Sequence, residues 1–71
     1  GQNEKAIERF LLILQDEPNN IEALVHLAEC YELTNQKPLA LERYQQVKQS
    51  NKIKSKAFND AIDKRIQQLK K

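Results

Sequence analysis

The chain repeats itself after 34 residues: shifted by that distance, Ala6-Ile7-Glu8-Arg9-Phe10 falls on Ala40-Leu41-Glu42-Arg43-Tyr44. Gln2 falls on Gln36, Ile13 on Val47 and Gln15 on Gln49. Five matched or similar residues in a row, with agreement on both flanks, are seldom accidental. Self-similarity at a period of roughly 20–50 residues marks architectures in which each unit buries its apolar face only against its neighbours. A chain of 71 residues holds about two such periods, so its core is small.

Each copy reads as an amphipathic helix. Ala6, Ile7, Phe10, Ile13 and Leu14 share one helical face, as do Ala40, Leu41, Tyr44 and Val47. Pro38 falls within the first turn of the second copy, where a missing N–H costs nothing. Between the copies, Pro18-Asn19-Asn20 announces another helix. Asn19 is placed to cap it and Glu22 to complete a capping box. Its apolar face is Leu24, Leu27, Ala28 and Tyr31, and it ends near Thr34-Asn35. Ser55 can cap a last helix that carries Phe58, Ala61, Ile62, Ile66 and Leu69. The expected map is four helices, at about 3–16, 20–33, 37–50 and 55–70. Short links make neighbours antiparallel, so the predicted fold is all-α, an antiparallel helix-turn-helix solenoid.

Composition agrees and removes several functional classes. One Gly and two Pro are too few for a succession of β-turns. A single Cys cannot close an internal disulfide, and one Cys with one His cannot build a zinc site of the usual kind. The longest apolar run, Phe10–Leu14, is far short of the roughly 20 residues that span a bilayer. No signal peptide is legible. The expectation is a soluble protein of a reducing compartment, the cytoplasm, with no cofactor, no metal and no membrane span.

The residues that carry the repeat resemble the tetratricopeptide repeat family. Its pattern asks for a large apolar residue, Leu with a small residue, Tyr, Ala, an aromatic and Ala. These places hold Leu24, Leu27 with Ala28, Tyr31, Ala40, Tyr44 and Val47. The sequence departs from the pattern at Leu24 (commonly Trp), Asn35 (usually Gly), Val47 (Ala) and Lys52 (the closing Pro). The resemblance implies that residues 1–20 are the second helix of a preceding repeat, 21–54 one complete repeat and 55–71 a C-terminal capping helix. The capping role agrees with the 34-residue shift, which sets Ile62 on Ala28 and Arg65 on Tyr31, so a further pair could not dock in the same way. Asn59, Asp60, Asp63, Lys64 and Gln67 make the outer face polar, as a solenoid cap must be.

The same resemblance implies a non-enzymatic scaffold that binds a partner's peptide or helix on its concave face, or assembles with further repeats. Glu22, Val25, His26 and Glu29 would line that face, with Glu32 or Leu33 at its edge. The family's carboxylate-clamping subset places Lys, Asn and Arg there, whereas this chain offers two acids. Its expected ligand is therefore neutral or basic, and an acidic peptide is repelled. His26 stands i+4 from Glu22 and i−3 from Glu29, a spacing that suits polar pairing on a solvated face better than a metal with so few ligands. Cys30 is read as a small, partly buried, reduced residue, since no third group orients His26 as its base.

Two surfaces remain. Residues 1–51 carry five bases against eight acids, and residues 52–71 seven bases against two acids. The basic end, with Lys52, Lys54, Lys56, Lys70 and Lys71, gives an alternative reading as a module for RNA or an anionic surface. Phe58 alone could stack on a base there, which argues against nucleic acid. At the other end, Leu11 and Leu12 stand where the second copy has Gln45 and Gln46. With Phe10 and Leu14 they form an apolar strip. The chain is thus expected to be part of a longer protein and to be able to form a homodimer through Phe10, Leu11 and Leu14.

Overall fold

The computed structural model describes residues 1–50 and 54–71, and its order is α1 (Gln2–Asp16), α2 (Ile21–Leu33), α3 (Lys37–Ser50) and α4 (Lys56–Leu69). Every boundary lies within one residue of expectation, and no strand occurs among the described residues. Lys52, where the repeat pattern would close, lies outside the described residues.

Side chains set the boundaries. The cap of α2 is Asn20 rather than Asn19: its Oδ1 accepts the Ala23 N–H at 3.0 Å from an extended backbone. Glu22 is therefore one place short of the capping-box position, which Ala23 fills. Asn19 serves a tertiary purpose instead, accepting at Oδ1 from the Ser50 hydroxyl at 2.9 Å and so tying the first turn to the end of α3. Ser55 caps α4 as expected, accepting the Phe58 N–H at 3.2 Å.

Asn35 explains how the α2–α3 turn manages without glycine. Its φ is 60°, in the left-handed region, where Asn is the best tolerated of the larger residues. The Asn35 N–H bonds the Glu32 carbonyl at 3.1 Å, and the Gln36 N–H bonds that of Tyr31 at 2.8 Å. This pair of bonds is a Schellman motif, which satisfies carbonyls that the helix end leaves open. The Thr34 hydroxyl bonds the Cys30 carbonyl at 2.9 Å and accepts from Gln36 Nε2 at 2.8 Å, closing the turn.

The core is shared mainly by α2 and α3. Leu24, Leu27, Ala28 and Tyr31 meet Ala40, Tyr44 and Val47 in one buried cluster, to which α4 adds Ile62 and Ile66. From α1, Ile7, Phe10, Leu11 and Leu14 pack against this cluster, but no α1 residue is fully buried. The two copies of the repeated motif therefore differ in setting. Ala40, Tyr44 and Val47 are at most 1% exposed, while Ala6, Phe10 and Ile13 are half-buried. Ala61, expected on the apolar face of α4, is exposed instead.

Each helix packs on the next in sequence: α1 on α2, α2 on α3, and α3 on α4. Among the described residues no other pair of helices brings its backbones within 8 Å. The helices form an open row, 32 × 29 × 15 Å, rather than a closed ring. None of them is long and apolar enough to cross a membrane.

Candidate functional site

The open row leaves one side of α2 uncovered between α1 and α4, and three hollows run along it. The first, about 180 Å³, lies among Phe10, Ile13, Asn20, Glu22 and Ala23. The second, about 290 Å³, is lined by Ile21, Glu22, Val25, His26 and Phe58. The third, about 230 Å³, involves Val25, Glu29 and Tyr44 with Phe58, Ala61, Ile62 and Arg65 of α4. Val25 and Phe58 are common to the last two, which are sections of one groove, and the first hollow meets it at Glu22. Glu22, Val25, His26 and Glu29, the four residues expected on the concave face, all line it or stand on its rim.

His26 is fixed from two directions. Its ring stacks on Phe10 with centroids 5.5 Å apart and planes inclined by 22°, joining α2 to α1. Its Nδ1 lies 3.2 Å from Glu29 Oε1, and its Nε2 lies 3.8 Å from Glu22 Oε1. The i,i+3 and i,i+4 pairing expected from the spacing is present. The ring stack is not legible in the sequence, because Phe10 and His26 lie on different helices.

At the far end of the groove three helices meet through one carboxylate. Arg65 Nη1 of α4 donates to Glu32 Oε2 of α2 at 2.8 Å. Glu32 Oε1 is buried with no strict hydrogen bond among the described residues, and the Tyr44 hydroxyl of α3 stands close enough to the same carboxylate to interact with it. Burial first, and then Glu32, hold the Tyr44 phenol well above the usual tyrosine range. In the alkaline range the unfolded chain releases this proton while the folded chain keeps it. The stability tied to it is therefore complete below about pH 10 and falls as pH rises further, by at most about 1.4 kcal/mol per unit. Burial also raises the Cys30 thiol, with a smaller contribution from Glu29, and this adds a slope of the same sign. We expect Tyr44→Phe, made in a Cys30→Ala background, to flatten the loss of stability between about pH 9 and pH 11. Urea melts across that range check it; an unchanged slope would mean that the Tyr44 proton plays no part.

The other candidate surfaces are less concentrated than the groove. Of the basic residues, Lys54 and Lys56 stand at one end of α4 and Lys70 and Lys71 at the other, about 20 Å apart along a helix of this length. Arg65 is engaged by Glu32, and Lys48 of α3 pairs with Asp63. On α1, Phe10, Leu11 and Leu14 are half-buried against the core, Phe10 under His26. The most open apolar residue of that helix is Leu12, at 62% exposure.

Comparison of the chain with protein-family models, with curated proteins and with solved structures finds no match. The functional reading therefore rests on the residues and their geometry.

Proposed function

We propose that the chain is a non-enzymatic protein-interaction scaffold of tetratricopeptide type, which grips a peptide or helix of a partner protein in the groove along α2. The observation that carries this reading is the run of three hollows along α2, one against α1 and two, sharing Val25 and Phe58, against α4. A solenoid arrangement is supported by the open row of helices, by the small Ala28 and Ala40 in the α2–α3 core, and by the 34-residue echo of α1 in α3. Arg65 supports the capping role of α4: it stands where the repeat would place Tyr31 and is spent on Glu32. The apolar strip of α1 suits assembly, either with further repeats or with a second copy. The reading is non-catalytic, and burial, which raises the one thiol above its ordinary range, gives no support to a cysteine nucleophile.

Ala61 offers a direct test, because it lines the groove and yet is exposed. Tyr at this position should fill the groove without disturbing the core. Peptides selected from an unbiased displayed library should bind the wild-type chain and lose at least tenfold in affinity for Ala61→Tyr, with circular dichroism unchanged. Ligands that bind both proteins equally, or no ligand at all, would overturn the groove as the binding site.

A further inference from the structure

The middle hollow, between Ile21 and Phe58, is the roomiest of the three, and its walls differ from its rim. Ile21, Val25 and Phe58 give it carbon walls. The rim carries the Glu22 carboxylate with His26 beside it, and Glu29, the other carboxylate on His26, lines the next hollow. Of the two His26 contacts only that with Glu29, at 3.2 Å, is within hydrogen-bond reach; Glu22, 3.8 Å away and largely exposed, has no hydrogen-bond donor among the described residues. The one arginine that lines the groove, Arg65, is taken by Glu32 at 2.8 Å. The site therefore has an exposed carboxylate, Glu22, on the rim above an apolar floor.

A long side chain with an apolar stem and a cationic head matches both parts at once. At about 290 Å³ the hollow falls just below the size of pockets that enclose drug-sized molecules, and suits a single side chain. Arginine fits better than lysine, because its planar head can stack on an aromatic face and pair with a carboxylate through two parallel bonds. Phe58 and Glu22 supply those two partners. The stack on Phe10 holds His26, and with it the rim, in a fixed geometry.

We propose that this hollow anchors an arginine side chain of the partner segment, its stem on Val25 and Phe58 and its guanidinium on Glu22. The proposal rests on the groove being the binding site and adds the chemistry that the ligand must present. The probes are three acetylated and amidated tripeptides, Leu-Arg-Leu, Leu-citrulline-Leu and Leu-Glu-Leu, titrated into isotope-labelled protein and followed by NMR. Citrulline keeps the shape of arginine without its charge. The arginine peptide should shift the resonances of Ile21, Glu22, Val25, His26 and Phe58, and should bind about tenfold more tightly than the citrulline peptide at low salt. Glu22→Gln should remove most of that preference and leave citrulline binding unchanged. Equal binding of the arginine and citrulline peptides, a preference that survives Glu22→Gln, or tighter binding of the glutamate peptide would overturn the arginine anchor. The groove reading would survive these results if library peptides still compete with Ala61→Tyr sensitivity. If neither the tripeptides nor the library peptides touch these residues, both readings fall together.

Discussion

Tyr44→Ala is expected to unfold the chain at room temperature. Tyr44 is 1% exposed and sits at the centre of the cluster formed by α2, α3 and α4. Truncating a buried aromatic costs about 3–5 kcal/mol, from lost burial and from the cavity left behind. Domains of ordinary size hold only about 5–15 kcal/mol in total, and one this small stands near the bottom of that range. Gln45→Ala, one residue further on an exposed part of α3, should stay within about 0.5 kcal/mol. Phe10→Ala should cost less than Tyr44→Ala, although the two residues occupy the same place in the repeat, because Phe10 is only half-buried. Urea melts followed by circular dichroism would decide it. Equal effects at Tyr44 and Gln45 would mean that the 34-residue alignment has placed the core wrongly.

Ala40→Leu should be nearly as damaging, for the opposite reason. Ala40 is fully buried in the cluster shared by α2 and α3, whose axes lie at the usual spacing of roughly 8–10 Å only where the facing side chains are small. Three extra carbons there force the helices apart or drive neighbours off their rotamers. Overpacking of this kind commonly costs about 1–3 kcal/mol. The same substitution at Ala61 is the control: that residue is exposed on the groove, and Ala61→Leu should be neutral within about 0.5 kcal/mol. Thermal melts of the two variants should separate clearly. A tolerated Ala40→Leu would show that the α2–α3 contact has slack, and that small size at this position has another cause.

Much of this fold was legible because the helices are punctuated by side chains that act locally. Pro38, Ser55 and the apolar spacing each fix a boundary within a few residues of themselves, which is the range over which a sequence can be read directly. The errors fall where two candidates stand side by side or where the deciding contact is distant. Asn19 and Asn20 are chemically equivalent as caps, and the choice between them depends on Ser50, thirty-one residues away. Ala61 has the spacing of an apolar face, but the strip of α4 that packs on the core runs through Phe58, Ile62, Ile66 and Leu69 and leaves Ala61 at its edge. The resemblance put Glu22, Val25, His26 and Glu29 on one face, and that much is fixed by their i, i+3, i+4 and i+7 spacing on α2. The Phe10–His26 stack and the Arg65–Glu32 contact did not follow, since each joins side chains from separate helices with no shared spacing.

The open row also bears on how the chain comes apart. Backbones approach closely only between helices that are neighbours in sequence, so most contacts that define the fold close short loops, and such topologies fold quickly. Cooperativity is then graded along the row rather than uniform. The α2–α3 pair holds most of the buried side chains and is expected to open last, while α1, which packs four side chains on the core but buries none completely, is expected to open before it. When α1 leaves, His26 loses the ring it rests on, and the rim of the groove is freed with it. The affinity of the groove is thus linked to the local unfolding of a helix at its edge, and any contact that holds α1 in place tightens the grip on a ligand.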